Sequence, residues 1–351
     1  MSVLEFDIKR ILQRHHLVEA GYPLIVAVSG GPDSMALLHI LAFLRKELHY
    51  VPVAVYVDHG LRPDEARAEW ECVRTAATVL DLESECIRVD TMELVRSKKL
   101  SMEHAARQLR YQALRSCARR CGASRIAVAH TADDQVEELL LRLLRGSGRK
   151  GLAGMRLQNR DVIRPLLTTT KGLLLEYLEQ HDIAFCHDSS NDDIRFLRNR
   201  IRHILLPLLE GDFDPGIRKA LLKTAANLSE DEDYLEIRIR EIWQQVMSVQ
   251  INTDGDAIHV LDRSAFAGLH PCLQRRLAER LLWKLGSPAR YEHIMAILQA
   301  AASGRTGSEL HLSRGLRTGV GRDRLEFSYP RGKRAWRGRL GVQQPKKRTR
   351  L

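Results

Sequence analysis

The sequence predicts an α/β fold, a doubly wound parallel sheet followed by a smaller, mainly helical domain with a short β meander. Three observations carry this expectation. Short β-branched runs alternate with helical periodicities as far as about Pro207, the pattern of a parallel sheet covered on both faces. That alternation stops near Pro207 to Pro215, where Gly211, Asp212, Asp214 and Gly216 mark a linker. A chain of 351 residues with 44% hydrophobic composition is long enough for two ordinary cores.

Leu24 to Val28 is a short apolar run closed by Gly, Pro and Asp, and Met35 to Leu44 then repeats apolar residues at helical spacing. The order is strand, loop, helix. Val51 to Val57 is a second strand, Trp70 to Leu80 a helix, Glu85 to Val89 a third strand, Met102 to Arg120 a basic helix and Arg125 to Ala129 a fourth strand. In such sheets ligands sit beyond the carboxyl ends of the strands. Three of these ends carry polar clusters, Ser29 to Ser34, Asp58-His59, and His130 with Asp133-Asp134, which are expected to converge on one cleft. Past the linker, Ile217 to Met247, Arg263 to Leu285 and Tyr291 to Ala302 have helical patterns, and Glu309 to Ser328 alternates around Gly315, Gly319 and Gly321 as a meander. The expected organisation is a catalytic domain over 1–208, a linker over 209–216, an accessory binding domain over 217–330 and a disordered basic tail over 331–351.

The formal net charge of +11 suggests a polyanionic partner, and its location matters more than its size. Arg331 to Leu351 holds 9 of those charges and no acid; such a tail reads equally well as a solubilising end with weak affinity for nucleic acid. Arg96 to Arg125, with nine Lys or Arg against the single acid Glu103, is the stronger sign of RNA. Met1 to Gly21 alternates Glu5, Asp7, Lys9 and Arg10 with apolar residues and is no signal peptide. Nothing in the sequence is expected to span a membrane. The six cysteines form no CxxC pair and read as reduced thiols, which implies a cytoplasmic protein.

Ser29-Gly30-Gly31-Pro32-Asp33-Ser34 has neither the GK[ST] of a Walker loop nor a GxGxxG, but its physics is similar. Two glycines let backbone N–H groups approach an anion, and the Asp-Ser pair is expected to cap a helix whose positive end faces it. Asp33, an acid in an anion-seeking loop, makes sense as a Mg²⁺ ligand. The plain alternative is an ordinary strand-to-helix turn. Placement directly after the first strand favours nucleotide binding.

Here the sequence resembles the PP-loop N-type ATP pyrophosphatases, a Rossmann-like group, and within them the tRNA(Ile)-lysidine synthetase family. The resemblance continues through Val57 to Arg62, Glu103-His104-Ala105-Ala106-Arg107 with Arg110-Tyr111, and Ala129-His130 with Asp133-Asp134-Gln135 and Glu137. It extends over Arg142 to Gly148, Gly151 to Met155, Arg164-Pro165-Leu166-Leu167, and Asp188-Ser189-Ser190-Asn191 followed by Arg198-Asn199 and Arg202. It covers Ser29 to about Pro207, is looser from Ile217 to Ser328, and departs at Glu138, where a hydroxyl residue is expected. The extra C-terminal domain of larger members is expected to be lacking.

The resemblance implies ATP-dependent attachment of free L-lysine to the wobble cytidine of an isoleucine tRNA with a CAU anticodon, through an adenylylated intermediate. ATP and Mg²⁺ are the implied cofactors; a homodimer is compatible with the sequence, which does not determine oligomeric state. Ser29, Gly30, Gly31, Pro32, Asp33 and Ser34 are then expected to bind ATP together with Asp58 and His59, for which a plain turn is the alternative. Asp33 and Asp133 are expected to hold the metal. His130, Asp134 and Glu137 would orient lysine's ammonium and remove its proton, or bind Mg²⁺, since residues three apart on a helix share a face. Arg107 and Arg110 would stabilise charge on the transferring phosphate. Arg142, Arg145, Arg149 and Lys150, with Arg195, Arg198 and Arg202, would contact the tRNA backbone. Without the resemblance, the acids are equally well explained as first-turn residues favoured by the helix dipole, and the arginines as a solvated face.

Two other readings compete. A PP-loop tRNA thiolase would insert sulfur after the same activation, but needs reactive thiols, and the cysteines here lie outside the matched motifs. A nonenzymatic nucleotide- or RNA-binding module would explain Gly30, Gly31 and the basic charge but not the acids and His at the other strand ends.

Overall fold

The computed structural model describes residues 1–186, 194–251 and 256–329. They fall into two compact units, the first ending at Ser229 and the second beginning at Glu230. The first unit contains α1 (Val3–Arg14), β1 (Pro23–Ala27), α2 (Pro32–Leu48), β2 (Val51–Asp58), α3 (Pro63–Val79), β3 (Glu83–Arg88), α4 (Thr91–Lys98), α5 (Met102–Cys121), β4 (Arg125–Ala127), α6 (Ala132–Leu144), α7 (Arg149–Leu152), β5 (Gln158–Asn159), β6 (Val162–Ile163), α8 (Lys171–Gln180), α9 (Leu197–Arg200), a π-helical turn over Ile201–Leu205, and α10 (Leu206–Asp212). The turn expected as a linker at 209–216 is the end of α10 and the step into α11 (Ile217–Val246), and the boundary between the units lies further on, inside α11.

The sheet order is β3-β2-β1-β4-β6-β5, parallel throughout except for the edge strand β5. β1 is continuously apolar because both its faces are covered. Leu24, Val26 and Val28 pack with Met35, Leu38 and Leu41 of α2 and Leu174, Tyr177 and Leu178 of α8. Ile25 turns the other way, toward Leu114, Cys117 and Ala118 of α5. That alternation is the period-two geometry of a strand, and it commits the two helical layers to opposite faces. Register then sets the site: Val26 lies beside Ala54 of β2 and Ala127 of β4, so the chain leaves three central strands along one edge.

The second unit packs α12 (Arg263–Ala267), α13 (Pro271–Lys284) and α14 (Tyr291–Ser303) on an antiparallel sheet, around Phe266, Leu277, Leu281 and Phe327. The expected helix over Arg263 to Leu285 is two helices, because Pro271 cannot continue a helix from the preceding turn and instead opens a new one at N1. The meander is part of a larger sheet of order β7-β8-β11-β10-β9, built from β7 (Met247–Ile251), β8 (Ala257–Asp262), β9 (Glu309–His311), β10 (Arg317–Val320) and β11 (Arg324–Ser328). The tail over 331–351 and the Asp188 to Asn191 motif lie outside the described residues. Among the described residues no helix is long and apolar enough to cross a membrane.

Candidate active site

A cleft of about 490 Å³ opens beyond the carboxyl ends of β1, β2 and β4. All three polar strand ends contribute: Ser29, Gly31, Pro32, Asp33 and Ser34 after β1, Asp58 and His59 from β2, and His130 and Asp134 after β4. Arg110 from α5, Lys171 from α8 and Arg202 from the π-helical turn complete its charged wall.

The loop is held by its own serines. Ser29 N–H donates to Ser34 Oγ at 3.1 Å, and Ser34 Oγ donates to the Gly31 carbonyl at 2.9 Å. Gly30 has φ +81°, and a Cβ there would stand 3.3 Å from Glu69, so backbone conformation and close approach both select glycine. The N-cap of α2 is Gly31, and no side chain caps it; Asp33 and Ser34 lie inside the first turn. The expectation that the Asp-Ser pair caps the helix is therefore corrected, and the positive end of this 17-residue helix faces the cleft without a side-chain acceptor.

Asp33 is 3.5 Å from Lys171 Nζ. Burial pushes its carboxyl above the usual range, Lys171 opposes this, and the Asp134 charge adds to the rise. Asp58 Oδ1 accepts from Gly60 N–H at 2.8 Å, closing the turn after β2. His59 lies 3.4 Å from Thr91 Oγ1, and burial, then Arg110, push its imidazole below its ordinary value.

The second group of residues meets around α6. Thr131 caps it, with Asp134 Oδ2 accepting from Thr131 N–H at 2.8 Å and Asp134 Oδ1 from Arg198 Nη2 at 3.0 Å. Burial alone would raise the Asp134 carboxyl, but Arg198, Lys171 and the Thr131 N–H together hold it below the usual range. His130 is pushed down to about 3, first by burial and then by Arg164, Arg110 and Arg107 against the opposing Asp134 charge. Arg164 Nε donates to its Nδ1 at 3.1 Å, which places the ring proton on Nε2. In this arrangement His130 offers an N–H donor toward the cleft.

Glu137 does not reach the cleft. Its side chain is 1% exposed, and both oxygens are occupied, accepting from Arg202 Nε at 2.6 Å and from Arg198 Nε at 2.8 Å. The spacing to Asp134 puts both acids on one side of α6, but that side is covered by Arg198 and Arg202, so Glu137 anchors arginines where an ammonium contact was expected. Asp133 is corrected as well. It accepts from Lys171 N–H at 2.8 Å and from Arg218 Nη1 at 3.0 Å, away from the cleft.

Arg110 lines the cleft, and burial lowers its guanidinium from the ordinary value. Neither Arg107 nor Arg110 has a carboxylate partner among the described residues; both lie over the Tyr111 ring, at 5.1 and 5.7 Å. Of the expected RNA contacts, Arg145, Arg149, Lys150 and Arg195 are exposed. Arg142 is not available in the same way: its Nε donates to Glu138 at 2.7 Å and its Nη1 to the Gly151 carbonyl at 2.7 Å, tying α6 to α7. Glu138, the departure from the family pattern, is that partner. Arg202 lines the cleft, and Arg198 is tied to Asp134 and Glu137 behind it. Sequence reasoning missed Lys171, Tyr56 and Glu69, and gave Arg164 no role within its matched motif; Tyr56 donates to Glu69 Oε2 at 2.7 Å beside the loop.

A divalent cation would find two carboxylates, Asp33 and Asp134, on this wall, and no cluster of three or more ligating residues exists among the described residues. Two hard oxygen donors fit Mg²⁺, which is held by one or two carboxylates and completed by phosphates and water.

A family model described as a PP-loop domain matches residues 3–209. The chain is similar to the tRNA(Ile)-lysidine synthases of Geobacillus kaustophilus (strain HTA426), 33% identical with 92% of this chain and 70% of that protein covered, and of Bacillus subtilis (strain 168), 33% identical with 89% and 66% covered. That of Geobacter sulfurreducens is 36% identical, with 85% of this chain and 63% of its own length covered. The chain thus spans about two thirds of the length of these curated relatives. Among solved structures, the U34-tRNA thiolase NcsA from Methanococcus maripaludis with its [4Fe-4S] cluster shares the fold, at TM-score 0.54 and 16% identity over 65% of this chain and 78% of that one. The strand-end loop, the cleft it opens and these matches agree: the chain belongs to the PP-loop family and, within it, to the tRNA(Ile)-lysidine synthases, ATP-consuming ligases.

Proposed function

We propose that this chain attaches free L-lysine to the wobble cytidine of an isoleucine tRNA with a CAU anticodon, consuming ATP in the cytoplasm. The observation that carries the reading is one cleft that joins the SGGPDS loop to the polar ends of β2 and β4 in a chain of this family. The cytosine carbonyl oxygen is a poor leaving group. It first attacks the α-phosphorus of ATP, and diphosphate departs. The lysine amine then bonds to the ring carbon, the former carbonyl oxygen leaves with AMP, and one amine proton is released.

The residues divide between these steps. The loop N–H groups and the positive end of α2 hold phosphate. Arg110, half-buried and without a carboxylate partner among the described residues, faces the charge that develops on the transferred phosphate, with Arg107 beside it. Asp33 and Asp134 would hold Mg²⁺, which when bound neutralises the triphosphate. His130 donates from Nε2, and burial lowers its basicity. Arg145, Arg149, Lys150 and Arg195 offer exposed charge to the tRNA backbone. The thiolase alternative is disfavoured because no cysteine lines the cleft.

The test is incubation with the tRNA, ATP and lysine. The expected outcome is a lysine-dependent gain in tRNA mass with one AMP and one diphosphate per turnover. A mass gain that requires a sulfur donor would replace the reading with the thiolase, and no turnover of ATP with tRNA and lysine present would reduce the chain to a binding module.

A further inference from the structure

We propose that Lys171 grips the terminal phosphates of the triphosphate over the SGGPDS loop, the part played in Walker-type loops by a lysine within the loop itself. This rests on the ATP-dependent reading above. The only charged residue between Ser29 and Ser34 is Asp33, and α2 carries its basic residues in its last turn, at Arg45 and Lys46. A cleft meant for a triphosphate therefore lacks a local cation where the loop presents its N–H groups. Its lining holds four cations, Arg62, Arg110, Lys171 and Arg202, against five carboxylates, so each uncommitted cation matters.

The four differ in how they are held. Arg62 is paired with Glu65, and Arg202 is tied to Glu137 through two hydrogen bonds of 2.6 and 3.1 Å. Arg110 emerges from α5, across the sheet face from α2. Lys171 alone stands beside the loop with its Nζ only loosely committed, 3.5 Å from Asp33 Oδ2 in its one ion pair among the described residues. Its backbone, by contrast, is fixed. It is the first residue of α8, behind the N-cap Thr170, and its N–H donates to Asp133, which Arg218 holds in turn. Leu174, Tyr177 and Leu178 of the same helix pack in the core with α2. The lysine is thus mounted on the helix that packs against the loop's own helix, with a flexible stem ending in a compact charge that can follow a phosphate. Asp33 keeps it over the loop until phosphate oxygens take its place.

The role predicts a dependence on the β- and γ-phosphates that a merely structural lysine would not show. Binding of α,β-methylene-ATP and of AMP is to be measured for the full chain with Mg²⁺ and the isoleucine tRNA present, in wild type, Lys171→Gln and Lys171→Arg. We expect Lys171→Gln to weaken the triphosphate analogue about tenfold or more while AMP changes less than about twofold, and Lys171→Arg to retain most of the difference. Equal loss for both nucleotides, or no loss for either, would overturn the assignment. Wild-type protein that fails to bind the analogue would instead overturn the ATP-dependent reading on which the assignment rests.

Discussion

Asp33 shows how a residue can be costly to the fold and useful to the site. Its raised carboxyl means that ionisation is harder in the folded chain than in the unfolded one, through burial first and then Asp134. A carboxyl of that kind costs stability once ionised, so the cost is absent in acid and present at neutral pH. Asp33→Asn is expected to raise the melting temperature by about 1–3 °C at neutral pH, with the gain vanishing in acid, while slowing diphosphate release on the order of a hundredfold. A melting curve at two pH values and a diphosphate assay check both halves. His130 behaves in the opposite sense. Its folded value of about 3 lies below its unfolded one, so its contribution is present above the ordinary histidine range and is lost as pH falls from there toward 3. His130→Asn should therefore flatten the acid limb of stability by up to about 1.4 kcal/mol per pH unit, one proton's worth, as read from denaturation at several pH values. An activity profile of wild type should show no titration near neutrality that disappears in this variant.

At the level of elements, the ion cluster of Glu137 with Arg198 and Arg202 ties α6 to α9 and the π-helical turn, alongside the apolar contact of Val136 and Leu140 with Ile201 and Leu206. π-Helical turns are rare and concentrate at functional sites, and this one carries Arg202 into the cleft. Glu137→Gln removes the charge between two guanidiniums while preserving shape. The expected result is a loss of about 2–3 kcal/mol of stability, because a part-buried cation pair is left under-compensated. Lysine dependence should change only as far as the positions of Arg202 and Asp134 change. Denaturant unfolding together with a lysine titration of the tRNA product checks this; unchanged stability with a large rise in the lysine requirement would return Glu137 to direct contact with the amino acid.

For the whole molecule, charge is distributed unevenly along the chain, with 9 of the net +11 between Arg331 and Leu351. Charge without base-reading residues supplies affinity and steering but not choice of sequence. Deleting that segment is expected to weaken tRNA binding chiefly at low salt and to flatten the salt dependence of the affinity, leaving the preference for isoleucine over methionine tRNA intact. Binding isotherms at several salt concentrations with both tRNAs measure this. Loss of discrimination on truncation would make the segment a recognition element.

Much of the fold was legible because it is written locally. An apolar run covered on both faces, as at Leu24 to Val28, can hardly be anything but a central parallel strand, and a polar cluster directly after it must leave at the carboxyl edge. Ser29 to Ser34, Asp58-His59 and His130 with Asp134 were found that way. The two-residue strands β5 and β6 were not, since pairing of β6 with β4 and of β5 with β6 creates them and no periodicity of their own announces them. The same limit governs the site. Helical spacing puts Asp134 and Glu137 on one side of α6, but which neighbour covers that side depends on Arg198 and Arg202, some sixty residues later. Lys171 lies where the sequence carries no sign of charge chemistry, and it reaches the cleft only because α8 packs on α2; Arg164, in a matched motif without an assigned role, meets His130 because β6 pairs with β4. Short-range physics thus determined the sheet, the phosphate loop and the edge on which chemistry occurs. Which carboxylates remain open to a ligand, and which cations hold them, was decided by long-range packing, because a charge's role depends on the partner that desolvates it.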